Sequence, residues 1–204
     1  MTLNQRSIVA AALVTLMGIG ALWSGTDGFN AFTDEGARRY AVRTDPPPVP
    51  AVALQDQNGR RFGMHELRGR LVAVEFIYVN CPTVCVALGQ AFQRVRDALP
   101  VEQLGRDVVL LSISFDPRRD LPERLADYAW RHAADGEAWR VVRVEDETEL
   151  ATLLRTFGIV VIPDGFGGFE HNAALHLVDR DGRLVRIDDY DRPLEFAEQV
   201  TMWM

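Results

Sequence analysis

The apolar residues of this chain fall into blocks, and the period within each block sets the element it predicts. Leu71–Tyr78 (LVAVEFIY) and Val108–Phe115 (VVLLSISF) are nearly continuous apolar runs of strand length, the pattern of strands covered on both faces. Between them Val84, Leu88, Ala91, Phe92, Val95 and Leu99 recur at helical spacing. Upstream, two short runs in 52–63 flank Asn58-Gly59, a hairpin signal. Downstream, Asp120 with Glu123 three positions on predicts an N-cap and a helix to about Ala133. Trp139–Val144 is a weaker strand. Asp146 and Glu149 repeat the capping pattern for a helix carrying Leu150, Leu153, Leu154 and Phe157, which Gly158 stops. Ala173–Val178 and Leu184–Ile187 form a strand pair across Asp181-Gly182, and Pro193 opens a last helix to Trp203.

The order hairpin, β, α, β, α, β, α, β, β, α predicts an α/β domain over 51–204, with a central, mainly parallel sheet and an N-terminal β-hairpin extension. A closing ββα unit, with Cys81 and Cys85 at the first βα junction, is the arrangement of a thioredoxin-like fold.

Ahead of this domain Arg6 precedes the uncharged run Ile8–Trp23, and no charge follows until Asp27. The stretch reads as a single transmembrane anchor over 1–23, with a cleaved signal peptide as the alternative. Arg6 keeps the N-terminus cytoplasmic and either reading exports the rest. With no transit peptide ahead of the run, the expected location is a bacterial inner membrane, single-pass, with the domain facing the periplasm. Residues 24–50, ending in Asp45-Pro46-Pro47-Pro48-Val49-Pro50, read as an extended linker.

Composition narrows the chemistry. A net charge of −7 disfavours a nucleic-acid partner. All 22 basic residues are Arg, so Schiff-base and P-loop lysine chemistry are excluded. With only two Cys, four positions apart, a bridge would close a tiny loop, which makes metal binding or reactivity the better reason for the pair. On a helical turn two such thiols face the same way and can chelate one ion, or close into a disulfide when oxidised. Thiolates at a helix start are also favoured by its positive end. Two soft sulfurs suit Cu(I), and a third ligand is expected to be histidine or another sulfur.

Four histidines compete for that role. His65 falls in a polar loop and His132 near a helix C-terminus, both read as solvated or dipole-paired. His176 lies inside a strand about 17 Å from His171, so only one of these two reaches the cysteines. His171 sits before that strand, after the Gly-rich 163–168 segment. From spacing alone it is either the third ligand or an ordinary loop histidine. A structural zinc site is disfavoured, since zinc prefers four protein ligands.

Three motifs in order, FIYVNCPTVC, SFDPRRD and EHNAALHLVDRDG, resemble those of the Sco/SenC family of copper chaperones, over roughly residues 50–200. Val86 stands where that family has a second proline, and Glu170 and Asn172 replace the usual neighbours of the histidine; no ligand is lost. The resemblance implies that Cys81, Cys85 and His171 hold one copper ion per chain, as Cu(I), Cu(II) or both. It implies a metallochaperone in assembly of the binuclear copper site of cytochrome c oxidase, with the copper-accepting oxidase subunit as partner and no catalytic residue. Other periplasmic copper or thiol proteins are further candidate partners. The alternative is a thiol–disulfide oxidoreductase that reduces client cysteines before metal loading, with Cys81 and Cys85 as its redox-active pair. Asp116 and Asp120 match the family's acidic motif and read as a turn acid and an N-cap, or as groups that support the ligands.

Overall fold

A computed structural model of the chain describes residues 3–81 and 84–204, excluding the side chains of Leu3, Val84 and Cys85. It divides into two compact units, Met1–Asp45 and Pro46–Met204. The first holds two helices. In α1 (Leu3–Gly25), the stretch Asn4–Gly25 is long and apolar enough to cross a membrane. Its 22 residues rise about 33 Å, close to the hydrocarbon thickness of a bilayer. Within the predicted linker, α2 (Asp34–Thr44) starts where the Thr33 side chain accepts the Gly36 N–H, and Glu35 pairs with Arg38 and Arg39. Thr33 is an efficient cap and acids fill the first turn, which explains a helix there.

The second unit begins with the proline stretch, which is not a free spacer. Pro47 accepts the Leu184 N–H at 2.9 Å and Val49 donates to Gly182 at 2.8 Å, so the prolines lie along the chain that opens the last strand. The remaining elements are β1 (Ala53–Asp56), β2 (Arg61–Gly63), a 3-10 turn (Met64–Leu67), β3 (Leu71–Ile77), α3 (Val84–Ala98), β4 (Val108–Ser114), α4 (Pro122–His132), β5 (Trp139–Val144), α5 (Glu147–Phe157), β6 (Val161–Pro163), β7 (Phe169–His171), β8 (Leu175–Val178), β9 (Leu184–Asp188) and α6 (Pro193–Met202). The hairpin turns at Asn58-Gly59 as expected, with Gly59 at a left-handed φ of 78°.

Seven strands form one sheet in the order β2-β1-β5-β4-β3-β8-β9. The parallel character predicted for the sheet is confined to β5, β4 and β3; the hairpin joins β5 antiparallel, and so do β8 on β3 and β9 on β8. The parallel pairs are joined by the crossovers through α3 and α4, whereas the Asp181-Gly182 turn between β8 and β9 permits only an antiparallel pair. β3 and β4 are buried at every position. Neighbouring residues of β3 show that both faces are covered: Glu75 meets Tyr128 of α4, while Phe76 packs on Phe157 of α5. The 163–168 loop is the turn of a two-stranded ribbon, in which Val161 pairs with His171 and Pro163 with Phe169.

Candidate metal centre

Parallel β3 and β4 end at the same edge of the sheet, and their register fixes what meets there. Ile77 lies opposite Ser114, and the Phe115 N–H donates to the Ile77 carbonyl at 2.9 Å. The next residues out, Tyr78 and Phe115, place their ring centroids 5.4 Å apart. Cys81 follows in a turn, its N–H bonded to the Tyr78 carbonyl at 3.3 Å, and the residue is 6% exposed. Cys81 therefore precedes α3 rather than sharing a helical turn with Cys85, because α3 begins at Val84. Pro82 and Thr83 lie outside the described residues, as does the Cys85 side chain. The Cys85 backbone occupies the first turn of α3.

The histidine arrives from the other side. β8 runs antiparallel to β3 with His176 opposite Val74 and Val178 opposite Val72, so the chain before β8 must emerge at the edge where β3 ends. His171 lies on that segment, at the end of β7, with its ring 4.9 Å from that of Phe115. Phe169 packs on both Tyr78 and Phe115, and the Tyr78 hydroxyl accepts the Phe169 N–H at 3.3 Å. An aromatic cluster thus ties the histidine strand to the exits of the two central strands. The His171 Nδ1 contacts the Asn172 carbonyl at 3.2 Å; a carbonyl only accepts, so this contact favours the tautomer with the proton on Nδ1, the form in which Nε2 is the metal-binding nitrogen. Burial pushes this imidazole below its ordinary pKa against the raising effect of that hydrogen bond, which favours the neutral, metal-competent ring.

The other histidines are placed elsewhere. His176 is fully buried between Phe76 and Phe157, its Nδ1 against the Val74 carbonyl at 3.2 Å. His65 is exposed in the 3-10 turn. His132 is not solvated as expected: it is 5% exposed, stacked on Tyr128 at 4.4 Å, and burial followed by the nearby Arg131 charge pushes its pKa down. Among the described residues no three His, Cys, Asp or Glu side chains gather as a metal site, and Cys85, one of the three expected ligands, has its side chain outside them.

Asp120 corrects a second expectation. The N-cap of α4 is Leu121, which makes no side-chain cap bond. Asp120 is instead 1% exposed, and its Oδ2 accepts the Val79 N–H at 2.9 Å and the Ser114 hydroxyl at 2.6 Å. Burial raises its pKa, those two hydrogen bonds lower it, and the Asp116 charge raises it further. Sequence reasoning also missed Glu75, inside a run read as apolar. Fully buried, it takes hydrogen bonds from Ser112 at 2.5 Å and Tyr128 at 3.3 Å, while Trp139 donates to Ser112. Burial pushes its pKa up to about 8, against the lowering effect of both hydrogen bonds, so it is protonated at neutral pH. The single acid in that apolar run was the available signal.

Comparison with known proteins identifies the family. The model of the SCO1/SenC family matches residues 46–204. The SCO1 protein homolog of Bacillus subtilis is 27% identical over 145 residues, 70% of this chain and 73% of that protein. The structure of Bradyrhizobium japonicum ScoI with copper bound has a TM-score of 0.66 and 27% identity, covering 78% of this chain and all of that one. BsSco, a member of the Sco family of cytochrome c oxidase assembly proteins in which a disulfide switch was identified, gives a TM-score of 0.64 at 22% identity, covering 78% and 96% of the two chains. With a family match over the whole second unit and the thioredoxin-like fold shared with those structures, the chain belongs to the SCO1/SenC family.

Proposed function

We propose that this protein binds one copper ion through Cys81, Cys85 and His171 and passes it to the oxidase subunit that carries the binuclear copper site of cytochrome c oxidase. The observation that carries the reading is the antiparallel register of β8 on β3, which sends the His171 segment to the edge where Cys81 leaves the sheet. Copper bound to the Bradyrhizobium relative supports the choice of metal. Two thiolates hold Cu(I), and the addition of an imidazole suits Cu(II). In this reading copper is cargo and no bond is made or broken in a substrate, so the protein is a chaperone and not an enzyme. The apolar α1 serves as the tether, with the domain in the periplasm, where donor and acceptor share one membrane surface at raised effective concentration.

A thiol–disulfide exchange role takes second place. It needs a thiol that reaches a client disulfide, and Cys81 is buried. Copper titration of the reduced full chain in detergent, followed by transfer to the apo copper domain of the oxidase subunit, tests the reading. One copper per chain, lost in the Cys81→Ser and Cys85→Ser variants and gained by the acceptor, is expected. Zinc retained in preference to copper, or client reduction that is indifferent to His171→Ala with no copper uptake, overturns it.

A further inference from the structure

Cys81 and His171 come from segments far apart in sequence, and one turn touches both. Residues 116–120 join β4 to α4. On one side Asp120 accepts the N–H of Val79, two residues before Cys81, and is anchored by the Ser114 hydroxyl. Its other oxygen, Oδ1, is buried and has no hydrogen-bond partner among the described residues. A buried carboxyl oxygen without a partner is costly. The side chain nevertheless points at the cysteine loop and not at the start of α4.

On the other side Arg119 donates to the Gly167 carbonyl, lies over the Phe169 ring at 5.0 Å, and is held from behind by an ion pair with Asp116. Gly167 and Phe169 belong to the ribbon whose last residue is His171. The guanidinium is planar and forked, so it can bond the carbonyl while stacking on the ring, which an ammonium cannot.

We propose that the Asp116–Asp120 turn is a two-armed clamp that sets the spacing between the thiol and imidazole ligands, with Asp120 holding the cysteine-bearing segment and Arg119 the histidine-bearing one. The inference rests on the copper-site reading above. Both are positioning residues; neither touches the ion. Cu(I) held by the two sulfurs depends little on where His171 stands, whereas Cu(II) depends on sulfur and nitrogen together. Loss of the Arg119 arm therefore acts through the histidine.

The test compares Arg119→Ala, Arg119→Lys and Asp120→Asn in the reduced full chain, each alone and combined with His171→Ala. Cu(II) and Cu(I) affinities, the thiolate-to-Cu(II) absorption band, the Cu(II) resonance spectrum and the thermal midpoint are measured. Arg119→Ala is expected to weaken Cu(II) roughly 10-fold, the usual scale for a group that orients a ligand, and to shift the absorption band. Cu(I) affinity and the midpoint stay close to native, because the side chain is largely exposed. Lys at 119 recovers part of the loss, and Asp120→Asn, which keeps an acceptor for Val79, loses less than Arg119→Ala. In the His171→Ala background Arg119→Ala has no further effect, since the group it positions is gone. Full additivity of the two losses overturns the clamp, and so does a lowered midpoint with a native Cu(II) spectrum and affinity. If His171→Ala alone leaves Cu(II) binding intact, the copper-site reading itself fails and the clamp with it, an outcome the single variant identifies.

Discussion

Two histidines five positions apart, His171 and His176, occupy opposite environments, and their substitution separates ligand from core. His171 is half-buried at the sheet edge, whereas His176 is sealed between Phe76 and Phe157. His171→Ala is expected to lower Cu(II) affinity by more than the roughly 10–100-fold that loss of a ligand's hydrogen-bond partner costs, and Cu(I) affinity much less. His176→Ala is expected to keep copper stoichiometry and cost about 2–4 kcal/mol in denaturant unfolding, as large-to-small core changes do. Their different placement was legible in the sequence, because His176 falls inside the strand pattern and His171 precedes it. The fates of Asp120 and His132 were not: capping spacing fits Asp120, but its carboxylate goes to the Val79 N–H, a partner no local pattern reveals. Glu75 carries the pH dependence at this scale. Its ordinary pKa of 4.5 is raised to about 8 in the fold, so the unfolded chain loses the proton first and stability falls as pH climbs between those values. Glu75→Gln mimics the protonated acid. Urea midpoints from about pH 4 to 9 should fall with pH in the native chain and flatten in this variant, and an unchanged slope would show that Glu75 ionises freely.

The elements differ in how plainly they were written. Long periodic blocks gave β3, β4 and the helices α3 to α6 within a residue or two, since the apolar run or stripe is what packing requires, while α2, short and polar, lies in the stretch that reads as linker. The β6–β7 ribbon was missed because its strands have three residues each, one ending in a proline, and a pairing that short leaves no alternation to detect. Its seat on Tyr78 depends on close approach: a Cβ on Gly168 would lie 2.5 Å from the Asp164 carboxylate and 3.1 Å from the Tyr78 hydroxyl. Gly168→Ala is expected to push the ribbon off Tyr78 and weaken Cu(II) binding while the thermal midpoint moves little; native Cu(II) affinity in this variant would mean the ribbon does not set the histidine. Gly89 of α3 makes the contrasting case. A Cβ there would lie 2.5 Å from both the Tyr128 hydroxyl and the His132 ring, so Gly89→Ala should overpack the α3–α4 contact and cost about 1–3 kcal/mol. Thermal or denaturant unfolding reads that loss directly, and a variant as stable as the native chain contradicts the packing described.

At the scale of the molecule, an apolar helix of membrane-crossing length precedes a thioredoxin-like domain in which one edge of the sheet gathers the exits of β3 and β4 and the entry to β8. The sequence implied the separation into a leading segment and a domain, but not that the proline stretch lies along 182–184, because backbone pairing of prolines through their carbonyls has no signature in composition. Under the proposed ligand set, copper and a Cys81–Cys85 disulfide exclude each other, since the bridge consumes the two thiolates that the metal requires. Air oxidation is therefore expected to abolish copper uptake and reductant to restore it, as thiol counts and metal analysis on one sample would show; undiminished uptake by the bridged form contradicts the exclusion. The most direct measurement is X-ray absorption at the copper edge of the chain with its thiols reduced beforehand and then loaded with Cu(II). The account predicts a coordination shell of two sulfurs with an imidazole nitrogen that disappears in His171→Ala. A shell of nitrogen and oxygen alone, or one unchanged by that substitution, contradicts it.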